Sequence, residues 1–222
     1  MDQVTIKRAG RRISIRTVCD GFDTFCREYL ESPDVIPDFS VEINPADIES
    51  ERSRSDKDSY SDRYLETLAV YRKIAEKMPS YDTFLMHGSA VCVDGEAYLF
   101  AARSGTGKST HAALWRDLFG DRLTMINDDK PLIRIDDSGL YVCGTPWDGK
   151  HRLSSNISVP LKAICFLSQA PENHITEITG PEAMSGLLQQ VYRPQDPDAL
   201  SQTLSLLDRL CTRVRFYRLG CN

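Results

Sequence analysis

The chain has 222 residues, 41% of them hydrophobic and 27% charged, with a formal net charge of −5. This length suits one large domain or one domain with an extension, and a fold of this size buries roughly 70% of its unfolded surface without a disulfide or metal staple. The acidic balance argues against a nucleic-acid partner, and no stretch approaches the ~18 apolar residues of a membrane span.

The N-terminus lacks the apolar core of a signal peptide. The seven cysteines are odd in number and widely spaced, with no C-x-x-C pair. They read as reduced thiols of a cytoplasmic protein rather than a zinc site.

Residues 1–80 are expected to form an N-terminal α/β extension packed on the core. Val4–Ile6 and Ile13–Ile15 alternate as strands do, and Asp38–Ile43 alternates polar with apolar residues. Gly21–Glu31 can form a short helix with Phe22, Phe25 and Tyr29 on one side. Ser50–Arg63 is charged and serine-rich and reads as a solvated loop or helix face. Leu65, Leu68, Tyr71, Ile74, Ala75 and Met78 recur at three and four, an amphipathic helix stopped by Pro79.

Residues 81–222 are expected to form the main domain. Phe84–Val93 and Glu96–Ala101 are apolar runs joined by Asp94-Gly95, a strong hairpin signal. Leu123–Asn127 is a further short strand. A second hairpin turns at Asp137-Ser138-Gly139, and Leu161–Leu167 reads as a central strand. Two helices follow, one with Pro181 in its first turn and one starting at Asp196-Pro197, before a terminal strand around Val214 and Phe216. The predicted class is α/β, a mixed twisted sheet with flanking helices.

The most informative segment is Ala102-Arg103-Ser104-Gly105-Thr106-Gly107-Lys108-Ser109-Thr110. It follows a predicted strand and precedes a predicted helix, the context a P-loop requires. Gly105 and Gly107 let successive N–H groups turn inward toward a phosphate, and the helix adds its partial positive charge. Ser104 to Thr110 are the candidate nucleotide-binding residues. Lys108 can reach the β- and γ-phosphates of ATP, and the Ser109 hydroxyl can bind Mg²⁺. Ala102 stands where the pattern has its first glycine, a position that tolerates alanine at negative φ.

Asp128 and Asp129 end the strand Leu123–Asn127, an arrangement of the Walker B kind, only 20 residues after Lys108. Adjacent strand residues face opposite sides. One acid is therefore expected to serve a metal and the other the acceptor, unless the strand ends before them.

Ser104–Thr110 followed closely by Asn127-Asp128-Asp129 resembles the C-terminal domain of HPr kinase/phosphorylase and, more distantly, the nucleotide half of ATP-dependent phosphoenolpyruvate carboxykinases. Met86-His87-Gly88-Ser89-Ala90-Val91 is similar to the His-Gly segment ahead of the P-loop in HPr kinases. The resemblance covers residues 81–167 and implies an HPr-kinase/carboxykinase-like nucleotide-binding core. It implies Asp128 as the acid/base for the acceptor hydroxyl, Asp129 as the metal-side acid, and a homo-oligomer, as HPr kinases form. The chain departs from that family in having no counterpart of its long N-terminal domain and no Arg-Gly-rich signature after the acidic strand. Cys143–Arg152 resembles a segment of small HPr-kinase-like proteins.

In that segment two glycines and a proline shape a loop that offers Trp147 and the charges of Lys150, His151 and Arg152. It reads either as a glycine-hinged clamp over the phosphates, with Lys150 and Arg152 supplying transition-state charge, or as a turn around a packed tryptophan. His87 reads either as a donor or proton relay or as a core histidine. The expected function is an ATP-dependent phosphotransferase using Mg²⁺, acting on a hydroxyl of a protein, peptide or small molecule. The alternatives are carboxykinase-like transfer to a carboxylate or enolate and a non-catalytic ATP sensor.

Overall fold

The computed structural model describes residues 3–55, 59–149 and 151–222. The chain divides into two compact units, Met1–Lys77 and Met78–Asn222.

In the first unit β1 (Gln3–Arg8) and β2 (Arg11–Arg16) form an antiparallel hairpin. Its turn residues, Ala9 and Gly10, both have positive φ, as a tight hairpin needs. β3 (Phe39–Glu42) adds to β2 in parallel. The expected helix over 21–31 is only α1 (Phe22–Phe25) followed by a 3₁₀ turn over Arg27–Tyr29. The charged stretch begins inside α2 (Pro45–Arg54), which starts at a capping box of Asn44 and Asp47 with Pro45 in its first turn. The amphipathic helix is α3 (Asp62–Lys77). Its buried Glu66 accepts hydrogen bonds from the Val18 and Cys19 amides, which satisfies the carboxylate and ties the helix to the end of β2.

The second unit is a curled, mixed nine-stranded sheet with flanking helices. The apolar run 84–93 is two strands, β4 (Thr83–Leu85) and β5 (Ser89–Val93), broken at Met86–Gly88. β5 pairs antiparallel with β6 (Glu96–Ala101) through Asp94 and Gly95, both at positive φ. After β6 come α4 (Lys108–Phe119), ended by Gly120 at positive φ, and β7 (Leu123–Asn127), which returns antiparallel to β5. β8 (Leu132–Asp136) and β9 (Gly139–Cys143) form the second hairpin.

The central strand is longer than its apolar run suggests. β10 (Ser158–Gln169) starts antiparallel to β9 and continues parallel to β6. β11 (His174–Ile178), α5 (Gly180–Gln190), α6 (Pro197–Cys211) and β12 (Arg215–Cys221) complete the unit, with β12 parallel to β10. The larger core is built from sheet residues such as Leu99, Ile133 and Ile164 with Leu187 of α5 and Leu207 of α6. A smaller core lies around Phe100, Ala112 and Cys165, with Trp115 packed against it. Among the described residues no helix is long and apolar enough to cross a membrane.

Because β5 is antiparallel to both β6 and β7, these two strands run the same way, as do β10 and β12. The carboxyl ends of all four therefore reach one edge of the sheet, the edge where open α/β sheets place their ligand sites.

Candidate functional site

The glycine-rich loop leaves the carboxyl end of β6 at that edge. Gly105 and Gly107 take φ of +81° and +110°, values that L side chains rarely adopt, and Gly107 caps α4. Ser104, Gly105, Ser109 and Thr110 are exposed, with Thr106 and Gly107 partly so. Lys108 alone turns inward. It is 9% exposed, and its Nζ donates to the Ala102 carbonyl at 2.9 Å. Burial pushes its ammonium below the usual lysine value, while the charges of Asp129 and then Asp128 pull it back up. Nζ also donates to the Arg103 carbonyl at 3.5 Å, and two bonds to the loop leave one of the ammonium's three donors for an anion.

β7 stops at Asn127, and Asp128 and Asp129 lie in the bend beyond it. The His-Gly segment brackets this acid pair. Asp128 is 6% exposed, and its Oδ1 accepts a 2.6 Å hydrogen bond from the fully buried Ser89 hydroxyl. Gly88 donates its N–H to the Asp129 carbonyl at 2.9 Å. Only glycine fits there, since a Cβ would sit 2.8 Å from the Phe100 carbonyl oxygen. His87 Nε2 lies 3.0 Å from Asp129 Oδ1, and Lys130 Nζ lies 3.1 Å from Oδ2. Burial works to raise the Asp129 carboxyl, but His87 and Lys130 together outweigh it and hold it below the usual carboxylate range.

Asn127 is a site residue that sequence reasoning passed over. It is fully buried, and its carboxamide is satisfied at both ends. Oδ1 accepts from the amides of Asp129 (2.8 Å) and Lys130 (2.7 Å), and Nδ2 donates to the Thr145 carbonyl and hydroxyl, both at 3.0 Å. The Thr145 hydroxyl in turn donates to the Lys130 carbonyl at 2.9 Å. One side chain thus ties the acid bend to the loop over 144–149. The single legible signal was an asparagine just ahead of two aspartates.

Of the two readings of that loop, its packing favours the turn around a packed tryptophan over the glycine-hinged clamp. Gly144 is wedged between backbone segments, where a Cβ would lie 2.0 Å from the Ser155 oxygen and 2.6 Å from the Ile126 oxygen. Trp147 is 4% exposed, so its ring is core rather than a face for a ligand. Close backbone packing, not freedom to turn, is why glycine stands at 144. At the loop's far end Gly149 lies against Asp128, with a Cβ position 3.2 Å from Oδ2. Asp148 accepts from the Ser154 hydroxyl at 2.8 Å, and burial pushes its carboxyl above the usual range. Arg152 is exposed, and its charge acts on Asp148; Lys150 lies outside the described residues.

The structure therefore brings together Lys108, Asp128, Asp129 and His87, and places Arg152 on the solvent side. His111 and Trp115 lie elsewhere, with the His111 ring 4.5 Å from that of Phe100. Among the described residues no three His, Cys, Asp or Glu side chains converge as a metal cluster. Beside the loop, on the β10 side, is a cavity of about 600 Å³.

Residues 55–194 match the family model described as "ScmC: SynChlorMet cassette protein ScmC". The chain belongs to the ScmC family. The matched residues include the His-Gly segment, the glycine-rich loop, the acid pair and α5 of this ScmC-family protein. No curated protein matches the chain. Among solved structures, the HPr(Ser) kinase/phosphatase from Coxiella burnetii is similar over 57% of this chain and 90% of its own, at 14% identity and a TM-score of 0.29. A likeness that low does not establish a shared fold.

Proposed function

We propose that this ScmC-family protein is an ATP-dependent phosphotransferase with a P-loop core, moving the γ-phosphoryl group to a hydroxyl of a protein, peptide or small molecule. The observation that carries this reading is the shared sheet edge. The glycine-rich loop ends β6, the Ser89-oriented Asp128 follows β7, and the buried Lys108 feels the charge of both acids. The likeness of these motifs to HPr kinases supports the same reading.

The loop amides and Lys108 hold the phosphates and offset charge that develops on the transferred group. Asp128, fixed by Ser89, takes the acceptor's proton as the new oxygen–phosphorus bond forms and the bond to the leaving ADP breaks. Ser89 occupies one carboxylate oxygen, and the other faces Gly149, where the missing side chain leaves room.

Mg²⁺ takes one or two carboxylates together with phosphate oxygens and water. The exposed Ser109 hydroxyl and the part-exposed Asp129 carboxylate fit that modest donor set. Held there, the ion would neutralise phosphate charge. His87 holds Asp129 in place, and Arg152 supplies charge from the solvent side.

Titration of Mg-ATP into the protein by calorimetry tests the site. Lys108→Ala is expected to bind at least several-fold more weakly, because a charge-assisted contact is lost. Unchanged affinity in a folded variant would overturn the assignment.

A further inference from the structure

We infer that the cavity beside the glycine-rich loop is a nucleobase pocket and that Gln190 reads adenine in it. This rests on the nucleotide reading above and extends it to the base.

Topology fixes which part of a nucleotide the cavity can take. In the sheet, β6 lies between β10 on one side and β5 and β7 on the other. The acid pair follows β7. The cavity is lined by Phe166–Gln169 at the carboxyl end of β10, by α5, and by Ala101–Thr106 of β6 and the loop. A phosphate chain lying on the loop with its reacting end at Asp128 therefore points its other end at the cavity. An acceptor placed in the cavity would have the loop between it and Asp128. The volume, about 600 Å³, is ample for a nucleoside.

The lining supplies an apolar wall and one largely buried carboxamide. Phe166, Ile178 and Ala183 are the wall. Gln190 lines the cavity and is only 8% exposed. Its carboxamide can pair with a polar group placed in the cavity. Its backbone is anchored, because the Gln190 carbonyl accepts the His87 N–H at 2.8 Å and the next residue, Val191, bridges to Met86.

A carboxamide offers one donor edge and one acceptor. That matches the amino group and ring nitrogen of adenine in a bidentate pair, whereas the same edge of guanine presents two acceptors. Guanine would instead suit the exposed guanidinium of Arg218 at the rim.

The test is calorimetry with Mg-ATP, Mg-GTP and Mg-tripolyphosphate on the full chain, on Gln190→Leu and on Ser185→Trp, which fills the cavity from α5. The intact protein is expected to bind ATP roughly tenfold more tightly than GTP, the discrimination of one bidentate base contact, and more tightly than tripolyphosphate. Gln190→Leu is expected to erase the preference over GTP, leave tripolyphosphate affinity unchanged, and keep a cooperative thermal melt, which shows that the fold is intact. Ser185→Trp is expected to lower affinity for both nucleotides to that for tripolyphosphate. Equal affinity of the intact protein for ATP and tripolyphosphate, or an ATP preference that survives Gln190→Leu, overturns the pocket while leaving the phosphate site standing. Failure to bind even tripolyphosphate overturns both.

Discussion

Asn127→Asp is the substitution that most sharply separates shape from hydrogen bonding at this site. The two side chains are nearly isosteric. The two backbone N–H bonds to Oδ1, 2.7 and 2.8 Å long, survive the change. The Nδ2 end does not. Two donated bonds to Thr145 become acceptor facing acceptor, in a fully buried place. Two lost hydrogen bonds at ~1 kcal/mol each, plus the penalty of an uncompensated buried carboxylate, come to about 3–5 kcal/mol. That is a large share of the ~5–15 kcal/mol typical of a domain. With an m-value near ~2 kcal/mol/M in urea, the midpoint should fall by about 1.5–2.5 M. The pH dependence gives a second reading. Burial and the two facing Thr145 oxygens outweigh the two backbone N–H bonds and raise the native pKa of the new carboxyl above its unfolded value. The variant's deficit should therefore be smallest below the usual carboxylate range, where the protonated oxygen can donate to Thr145, and should grow as pH rises through the raised pKa. Urea melts at pH 4 and pH 7.5 measure both effects. An Asn127→Asp protein as stable as the parent at pH 7.5 would refute the idea that this carboxamide ties the acid bend to the 144–149 loop.

Asp128→Asn is expected to lower kcat for transfer by roughly 10²–10⁴ while leaving ATP affinity nearly intact, as rapid-quench and binding assays would show; Asp129→Asn should act chiefly on Mg²⁺ dependence. His87 and Lys130 outweigh burial and lower the Asp129 pKa, so its contribution to stability is present above the usual carboxylate range and lost as pH falls through the lowered value. Asp129→Asn should accordingly flatten the acid limb of a stability–pH profile. Asp148 has the opposite sign. Its burial-raised carboxyl favours the fold when protonated and loses that contribution as pH rises, so Asp148→Asn, which keeps an acceptor for Ser154, should stabilise at pH 7.5 and have no effect in acid. Gly144→Ala forces a Cβ against two backbone oxygens and should cost about 3 kcal/mol or prevent folding, read by thermal melting.

What could be read in the sequence was local. Asp94-Gly95 specifies its turn by its own φ preferences, and the strand–loop–helix around Lys108 is encoded within twenty residues. Two further features were hidden because their cause is distant. β11 has four exposed residues out of five and no alternation to betray it; it exists by pairing with β12. The break at Met86–Gly88 falls inside a stretch that reads as one strand and is marked only by His87-Gly88; its residues bond to Pro131, Gln190 and Asp129 instead of extending either strand. The site shows the same division. Gly144 carries a glycine signal that sequence alone assigns equally well to a hinge or to close packing, and only the Ser155 and Ile126 carbonyls decide. Asn127 acts through Thr145, 18 residues away, and Gln190 belongs to no motif at all.

Under the proposed function the shared sheet edge transfers a phosphoryl group rather than merely holding a nucleotide. The direct measurement is incubation of the protein and of Asp128→Asn with [γ-³²P]ATP and Mg²⁺ in a cell extract, scoring acid- and ATP-resolved label on acceptor molecules alongside ATP binding by each protein. Transfer through Asp128 should put label on an acceptor with the parent protein and lose it with Asp128→Asn, both proteins binding ATP alike. Label released only as inorganic phosphate, or equal acceptor labelling by the Asp128→Asn protein, would contradict it.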